Sequence, residues 1–183
     1  LLRHATDLSS RLMTSNLSLL TSLGSAVAKR DSDTDAHNYR VALCAIALAE
    51  AMGLPDDEIA HLIVGAFLHD VGKIGIPDAI LLKPGRLTAD EFEIMKTHTL
   101  HGLDIVAGNS WMERAADVIR HHHEKFDGSG YPDGLAGEAI PRIARLFAVV
   151  DVFDALVSAR PYKAPMPPET ALAILERDAG KHF

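Results

Sequence analysis

The sequence predicts an all-α protein, in which one helical bundle follows a long amphipathic N-terminal helix. Apolar residues recur three and four positions apart along most of the chain, the spacing of helices with one buried face. No segment alternates between apolar and polar residues for more than a few positions, as a half-buried strand would. A length of 183 residues allows one hydrophobic core, and the sequence has no internal repeats.

Local signals place the first three helices. Residues 1–27 form the N-terminal helix, whose apolar stripe consists of Leu8, Leu12, Leu19, Leu23 and Val27. A second helix is expected over 34–52, because Gly53 is a common residue just after a helix. Pro55 and the three acidic residues after it favour the first turn of a third helix, where a missing N–H and negative charge are both tolerated.

The second half of the chain continues the helical pattern after a connector rich in proline and glycine. Thr88 and Glu91 have the spacing of a capping box and predict the start of the next helix. Further helices are expected at about 111–124, 141–158 and 168–178.

Composition limits the classes of partner. The net charge of −7 gives no general basic field, so polymeric nucleic acid is excluded as a partner. The longest apolar runs are too short to cross a bilayer, so we expect no membrane segment in this chain. Cys44 is the single cysteine, which rules out an internal disulfide and indicates a cytoplasmic protein.

The ten histidines are the unusual feature of the composition. Residues three and four positions apart share one face of a helix. A histidine that follows apolar residues at this spacing therefore lies on the buried face of its helix. His61 and His121 share their faces with charged residues and should be solvated. Five histidines and two aspartates fall instead on apolar faces: His37, His69, Asp70, His98, His122, His123 and Asp151.

Burial of these seven groups favours a metal cluster. Each could be a separate hydrogen-bonded core residue, but a buried ionisable group without a partner costs several kcal/mol. Convergence on divalent ions would satisfy all of them at once, and the set has enough ligands for two ions, with Asp70 suited to bridge them. The absence of thiolate ligands leaves iron, manganese, zinc, cobalt and nickel all open as the metal.

Four motifs give the chain a family resemblance. "HDVGKIGIPD" (69–78), "MKTHTLHG" (95–102), "HHEKFDGSGYP" (122–132) and "VVDVFDALVSARPYK" (149–163) occur in this order. Together they resemble the HD-GYP family of bacterial signalling phosphodiesterases over about residues 28–183, which we take as the catalytic domain. The resemblance implies a helical bundle of the HD-domain type around a central metal cluster. It also implies hydrolysis of cyclic di-GMP to pGpG or GMP, although some members act on cyclic GMP-AMP.

The resemblance assigns roles to individual residues. The seven residues found by the face comparison match the family's metal ligands, and His69, Asp70 and Lys73 match catalytic positions around a hydroxide that bridges the two ions. Asp33 stands where the family commonly has a glutamate that binds a third ion, so the number of bound ions could be two or three. Asp154, one turn after Asp151, could support a ligand from behind.

Substrate contacts follow from the same resemblance. Lys73, Arg160 and Lys163 match positions that contact the phosphates or bases of the substrate, and Tyr131 could line the pocket. The alternative for Arg160 and Lys163 is a solvated basic turn after a helix.

Two other functions remain open from the sequence. The domain could sense a nucleotide or dock other signalling proteins with little turnover, or it could hydrolyse another phosphoester.

The stripe of Leu12, Leu19 and Leu23 is expected to pack against a second copy, forming a homodimer, or against an upstream sensory or receiver domain.

Overall fold

The computed structural model describes residues 2–31, 35–159 and 164–183, with the side chains of residues 2–10 and 35 left out. In this part of the chain the α-helices are α1 (Leu2–Ala28), α2 (Asp35–Ala51), α3 (Asp56–Leu68), α4 (Asp78–Leu81), α5 (Ala89–Lys96), α6 (His98–Val106), α7 (Ala116–His121), α8 (Arg142–Val157) and α9 (Pro168–Arg177). Short 3₁₀ turns span Val71–Gly75, Glu113–Ala115 and Gly137–Ala139. The same residues contain no strand, only an isolated bridge between Asp127 and Ala136. The predicted all-α fold is confirmed.

Two predicted helices are divided in the structure. The helix that begins after Thr88 has the expected capping box, but it breaks at Thr97, whose hydroxyl donates to the carbonyl of Ile94 at 2.6 Å. The helix expected over 111–124 is a 3₁₀ turn followed by α7, which ends at His121. The Asn109 side chain accepts from the N–H groups of Trp111 and Met112, so side-chain bonding sets the first of these turns.

Helix α3 lies in the middle of the core, in contact with α1, α2, α7 and α8. Leu62 and Leu68 on α3 are fully buried, as is Phe147 on α8. Gly65 allows α7 to approach closely, since a Cβ there would lie 2.6 Å from the Cβ of Val118. The burial of α3 therefore fixes the position of the residues that follow its C-terminal end.

The 3₁₀ turn after α3 packs directly against α6. A Cβ on Gly72 would lie 1.8 Å from the carbonyl oxygen of His98 and 2.4 Å from the nitrogen of Gly102. Only glycine fits this contact. It brings the end of α3 beside the start of α6, where most of the candidate site is built.

Helix α1 packs through one face only. Leu20 and Val27 are buried, and Leu23 packs against the core. Leu12 and Leu19 are 57% and 45% exposed, so part of the predicted stripe faces outward. Among the described residues, no helix combines the length and the hydropathy needed to cross a membrane.

Candidate metal site

The structure brings all seven predicted side chains together in two adjacent groups. Most lie at helix ends: after α3, at the first residue of α6 and directly after α7, with one each within α2 and α8. In each group, one ligand atom from every member lies within 4.8 Å of the others. The first group contains Asp70, His98, His122 and His123, and the second contains His37, His69 and Asp151.

Asp70 connects the two groups through its two oxygens. Its Oδ1 atom lies 3.4 Å from His98 Nε2 and 3.9 Å from His122 Nε2, in the first group. Its Oδ2 atom lies 3.2 Å from His69 Nε2, which belongs to the second group. Within that group, His37 Nε2 and Asp151 Oδ1 are 3.4 Å apart. A carboxylate in this position could bridge two cations.

Backbone carbonyls orient three of the imidazoles. The Nδ1 atoms of His69, His98 and His122 lie 3.0, 2.8 and 3.0 Å from the carbonyl oxygens of Ala66, Met95 and Val118. An N–H at Nδ1 that donates to a carbonyl leaves Nε2 as the free lone pair. All three Nε2 atoms therefore face the centre of the site as potential ligands.

Asp154 holds the fourth imidazole in the same way, as the sequence predicted. Its Oδ2 atom lies 2.7 Å from His37 Nδ1, and its Oδ1 atom accepts from Arg40 Nε at 2.6 Å. Burial would raise the pKa of Asp154, but the bonds from His37 and Arg40 lower it below its usual range. Asp154 is therefore an anionic support for the His37 ring.

Unsatisfied polar atoms in the centre fit a divalent cation. Asp70 Oδ1, His98 Nε2 and His122 Nε2 are buried, and no described residue gives them a hydrogen-bond partner. Such atoms are costly, and native proteins almost always satisfy them. Oxygen and imidazole donors without sulfur suit divalent first-row metals, so the residues present can hold metal ions.

The protonation states mostly agree with metal binding. Burial lowers the pKa of His98, His122 and His123, the last to about 3, so these rings are neutral at pH 7. Burial would raise the pKa of Asp70, but Lys73 and then His69 lower it, so the carboxyl is ionised. Burial also acts against protonation of His69, but Asp70 and Asp151 raise its pKa to about 9. This ring must therefore lose a proton before its Nε2 atom can bind a metal.

Lys73 lies beside the cluster rather than in open solvent. Its Nζ atom is 2.7 Å from Asp70 Oδ2 and 2.7 Å from Asp31 Oδ2. Three other predicted residues, Asp33, Arg160 and Lys163, lie outside the described residues.

Tyr131 covers one of the predicted ligands. Its ring stacks on the His123 imidazole with centroids 4.7 Å apart, and its N–H donates to the His123 carbonyl at 3.2 Å. A Cβ on Gly130 would lie 2.3 Å from the nitrogen of Lys125, so this glycine is required for the loop to fold back over the site.

Sequence reasoning missed Glu124, which holds the loop that carries Tyr131. The residue is only 2% exposed, and its carboxylate accepts from the N–H groups of Asp133, Gly134 and Leu135 at 2.7, 3.1 and 3.1 Å. The available signal was the position of this acidic residue, directly after the histidines and just before a glycine-rich turn. The N–H groups of such a turn need acceptors, which a carboxylate can provide.

The prediction that His121 is solvated was wrong. Its side chain is 12% exposed, and Nε2 lies 3.1 Å from Asp133 Oδ2, the carboxylate that also pairs with Arg120. The loop folds back over this face of α7, which helical periodicity cannot reveal. His61 is half-buried rather than fully solvated.

Comparisons with known proteins agree with this geometry. The chain is 48% identical over 166 residues to the cyclic di-GMP phosphodiesterase response regulator RpfG of Xanthomonas campestris, covering 90% of this chain and 44% of that protein. It is 47% identical to a cyclic di-GMP phosphodiesterase of Thermotoga maritima, covering 84% of this chain and 42% of that protein. The chain therefore spans less than half the length of either relative.

A solved structure has the same fold. Bd1817, an HDG"Y"P protein from Bdellovibrio bacteriovorus, superposes with a TM-score of 0.63 at 26% identity, over 80% of this chain and 47% of that one. The resemblance to the HD-GYP family predicted from the motifs is confirmed. The sequence model of the HD domain family matches residues 11–183, and the chain belongs to that family.

Proposed function

We propose that this chain is a metal-dependent phosphodiesterase that hydrolyses cyclic di-GMP. The observation that carries the proposal is the position of Asp70, whose two oxygens face two separate groups of imidazole and carboxylate ligands. Sites that hold two metal ions side by side are characteristic of enzymes that cleave phosphate esters. Relatives at 47 to 48% identity carry the name of a cyclic di-GMP phosphodiesterase, which supports the substrate.

The proposed ligands fall into two sets that share Asp70. His98, His122 and His123 would hold one ion together with Asp70, and His37, His69 and Asp151 would hold the other. When bound, the ions would activate water near neutral pH and stabilise negative charge on the phosphate. We propose iron or manganese as the metal, with zinc, nickel or cobalt as alternatives, since all of these accept nitrogen and oxygen donors. Asp33 remains the candidate ligand for a third ion.

The chain's own residues would bind and orient the substrate. Lys73 would direct its ammonium at a non-bridging phosphate oxygen, and its pKa, which burial would lower, is raised by Asp70 and Asp31 so that the charge is kept. Tyr131 would line the pocket from above His123. Arg160 and Lys163 are proposed as further contacts to the phosphates or guanine edges.

The central experiment measures hydrolysis directly. The domain is purified with manganese or iron under low oxygen, and cyclic di-GMP, pGpG and GMP are followed by chromatography. We expect turnover that Asp70→Ala abolishes and that Asp104→Ala, which removes an exposed carboxylate on α6, leaves unchanged.

Other outcomes would select another function. Tight binding of cyclic di-GMP without turnover, with every metal tried, would indicate a nucleotide sensor or docking module. Turnover of cyclic GMP-AMP or of an unrelated phosphoester alone would change the substrate but retain the hydrolase.

We further propose that α1 forms a homodimer or contacts an upstream sensory or receiver domain. We also propose that the protein is cytoplasmic and binds other signalling proteins. Leu12 and Leu19 are exposed on the outer face of α1. Light scattering should give a dimer that Leu12→Glu combined with Leu19→Glu converts to a monomer. Leu43→Glu, at a leucine of α2 that is 67% exposed, serves as the control and should leave the dimer intact.

A further inference from the structure

The segment that follows α1 reaches into the candidate site through Asp31. Asp31 Oδ2 and Asp70 Oδ2 each lie 2.7 Å from the ammonium nitrogen of Lys73. The side chains of Asp31, Lys73 and Asp70 are 12%, 16% and 20% exposed, so water screens these ion pairs only partly. Lys73 is therefore held between a predicted metal ligand and a residue that comes from outside the four motifs.

Arg30 fixes the backbone of the same turn. Its guanidinium donates to the carbonyl oxygens of Lys73, Ile74 and Ile76 at 3.2, 2.6 and 2.8 Å, and it pairs with Asp78 at 2.7 Å. The Lys73 carbonyl also accepts from the N–H of Ile76 at 3.1 Å. Carbonyls at the end of a helical turn lack partners within that turn, so at Ile74 and Ile76 Arg30 satisfies groups that would otherwise need water. Arg30 holds the main chain of the turn, while Asp31 holds its lysine.

Close packing fixes the end of α1 against the bundle. A Cβ on Gly24 would lie 2.8 Å from Asn38 Nδ2 and 3.2 Å from the carbonyl oxygen of Phe67, so an added side chain would require Asn38 or the backbone of Phe67 to shift. A cavity of about 20 Å³ remains beside this contact, and Asp31 and Asp70 both line it. The position of α1 is thus coupled to the position of Asp31.

We infer that Asp31 is a positioning residue for the hydrolysis proposed above, on which this inference rests: it holds the Lys73 ammonium at a fixed place beside Asp70. Among the described residues, the ammonium of Lys73 shares its charge between the carboxylates of Asp31 and Asp70. Without the charge of Asp31, Lys73 would have Asp70 as the stronger partner and would compete with cations for that carboxylate. Asp31 therefore acts through Lys73 and does not itself touch the substrate.

A double-mutant cycle tests this dependence. Asp31→Asn should lower kcat/KM for cyclic di-GMP roughly tenfold, the effect of losing one charge-assisted bond. In the Lys73→Met background the same substitution should change kcat/KM by less than about twofold, since the two sites act as one unit. Asp31→Glu should recover part of the loss, and Asp104→Asn on the exposed face of α6 should have no effect.

Two kinetic results would overturn the inference. An Asp31→Asn effect of equal size in both backgrounds would mean that Asp31 acts independently of Lys73. No effect in the wild-type background would mean that it positions nothing. Circular dichroism and thermal unfolding of each variant identify any general loss of folding.

A second measurement separates this inference from the proposed function. Crystal structures of metal-free wild-type and Asp31→Asn protein locate Lys73 without reference to turnover. Displacement of Lys73 Nζ from its wild-type position between the two carboxylates supports the inference, whereas an unchanged position contradicts it. If the wild-type protein does not hydrolyse cyclic di-GMP, the proposed function fails. The position of Lys73 in the two crystal structures still shows whether Asp31 holds its ammonium in place.

Discussion

Replacement of Asp154 by asparagine tests whether the support behind His37 matters for metal binding. The carboxylate is buried, and it accepts from His37 and from both Nε and Nη2 of Arg40 at 2.6 to 2.9 Å. Ser158 Oγ also donates to it, at 3.2 Å. Asparagine keeps the shape and one acceptor oxygen but removes the negative charge.

The size of the effect follows from these contacts. A hydrogen bond to a charged group contributes about 1.5 to 3 kcal/mol, and asparagine retains part of the bond to His37. The Arg40 side chain is 43% exposed, so water compensates for much of the lost ion pair between Arg40 and Asp154. Loss of this pair should therefore cost less than about 1 kcal/mol. We expect the free energy of unfolding of the metal-free protein to fall by about 1 to 3 kcal/mol. Affinity for Mn²⁺ should fall about 10- to 100-fold, as for other partners of ligating histidines.

Two measurements check these values. Calorimetric titration of metal-free protein gives the Mn²⁺ affinity, and urea unfolding gives the stability. Asp178→Asn is the control, because Asp178 pairs with Arg177 at the surface, where the two side chains are 32% and 70% exposed. If Asp154→Asn binds Mn²⁺ as tightly as the wild-type protein, then Asp154 does not act through His37 on the metal.

Four other predictions concern close packing and the metal. Gly72→Ala should lower the free energy of unfolding by at least about 3 kcal/mol in urea titrations, because its Cβ would overlap the carbonyl of His98. Gly53→Ala should lower it by only about 1 to 2 kcal/mol, since Gly53 has φ +68° and no heavy atom of the described residues lies within 4 Å of the added Cβ. Gly130→Ala should raise KM more than it lowers Mn²⁺ affinity, because its Cβ would displace the loop from Glu124 and not the ligands. Removal of metal by a chelator should abolish turnover and lower the melting temperature, and Mn²⁺ or Fe²⁺ should restore both.

Helix positions and inward faces could be predicted because they depend on local periodicity. The apolar residues around His37 and His69 mark the buried sides of α2 and α3, and both histidines are 2 to 3% exposed in the structure. The capping box at Thr88 was predicted for the same reason, since it involves residues only three apart. The family resemblance added roles for these residues, which a helical pattern cannot provide.

Helix ends and loops were predicted less well. The pattern around 111–124 continues past the true end of α7, so extrapolation along that face placed His121 in solvent. In the structure the following loop returns to pair Asp133 with His121, and Glu124 binds the loop's N–H groups. These contacts depend on how the chain folds back after the helix.

The sequence by itself determined the all-α fold, the inward faces of the helices and the donor types that favour a metal cluster. The tertiary structure decided that the two oxygens of Asp70 face different groups and that Asp31 reaches Lys73, which lies 42 positions further along the chain. Periodicity describes which side of one helix is buried, because backbone geometry repeats every 3.6 residues or so. Contacts between helix ends depend on how several helices pack, and here they depend on close approaches at Gly24 and Gly72 that no single helix specifies.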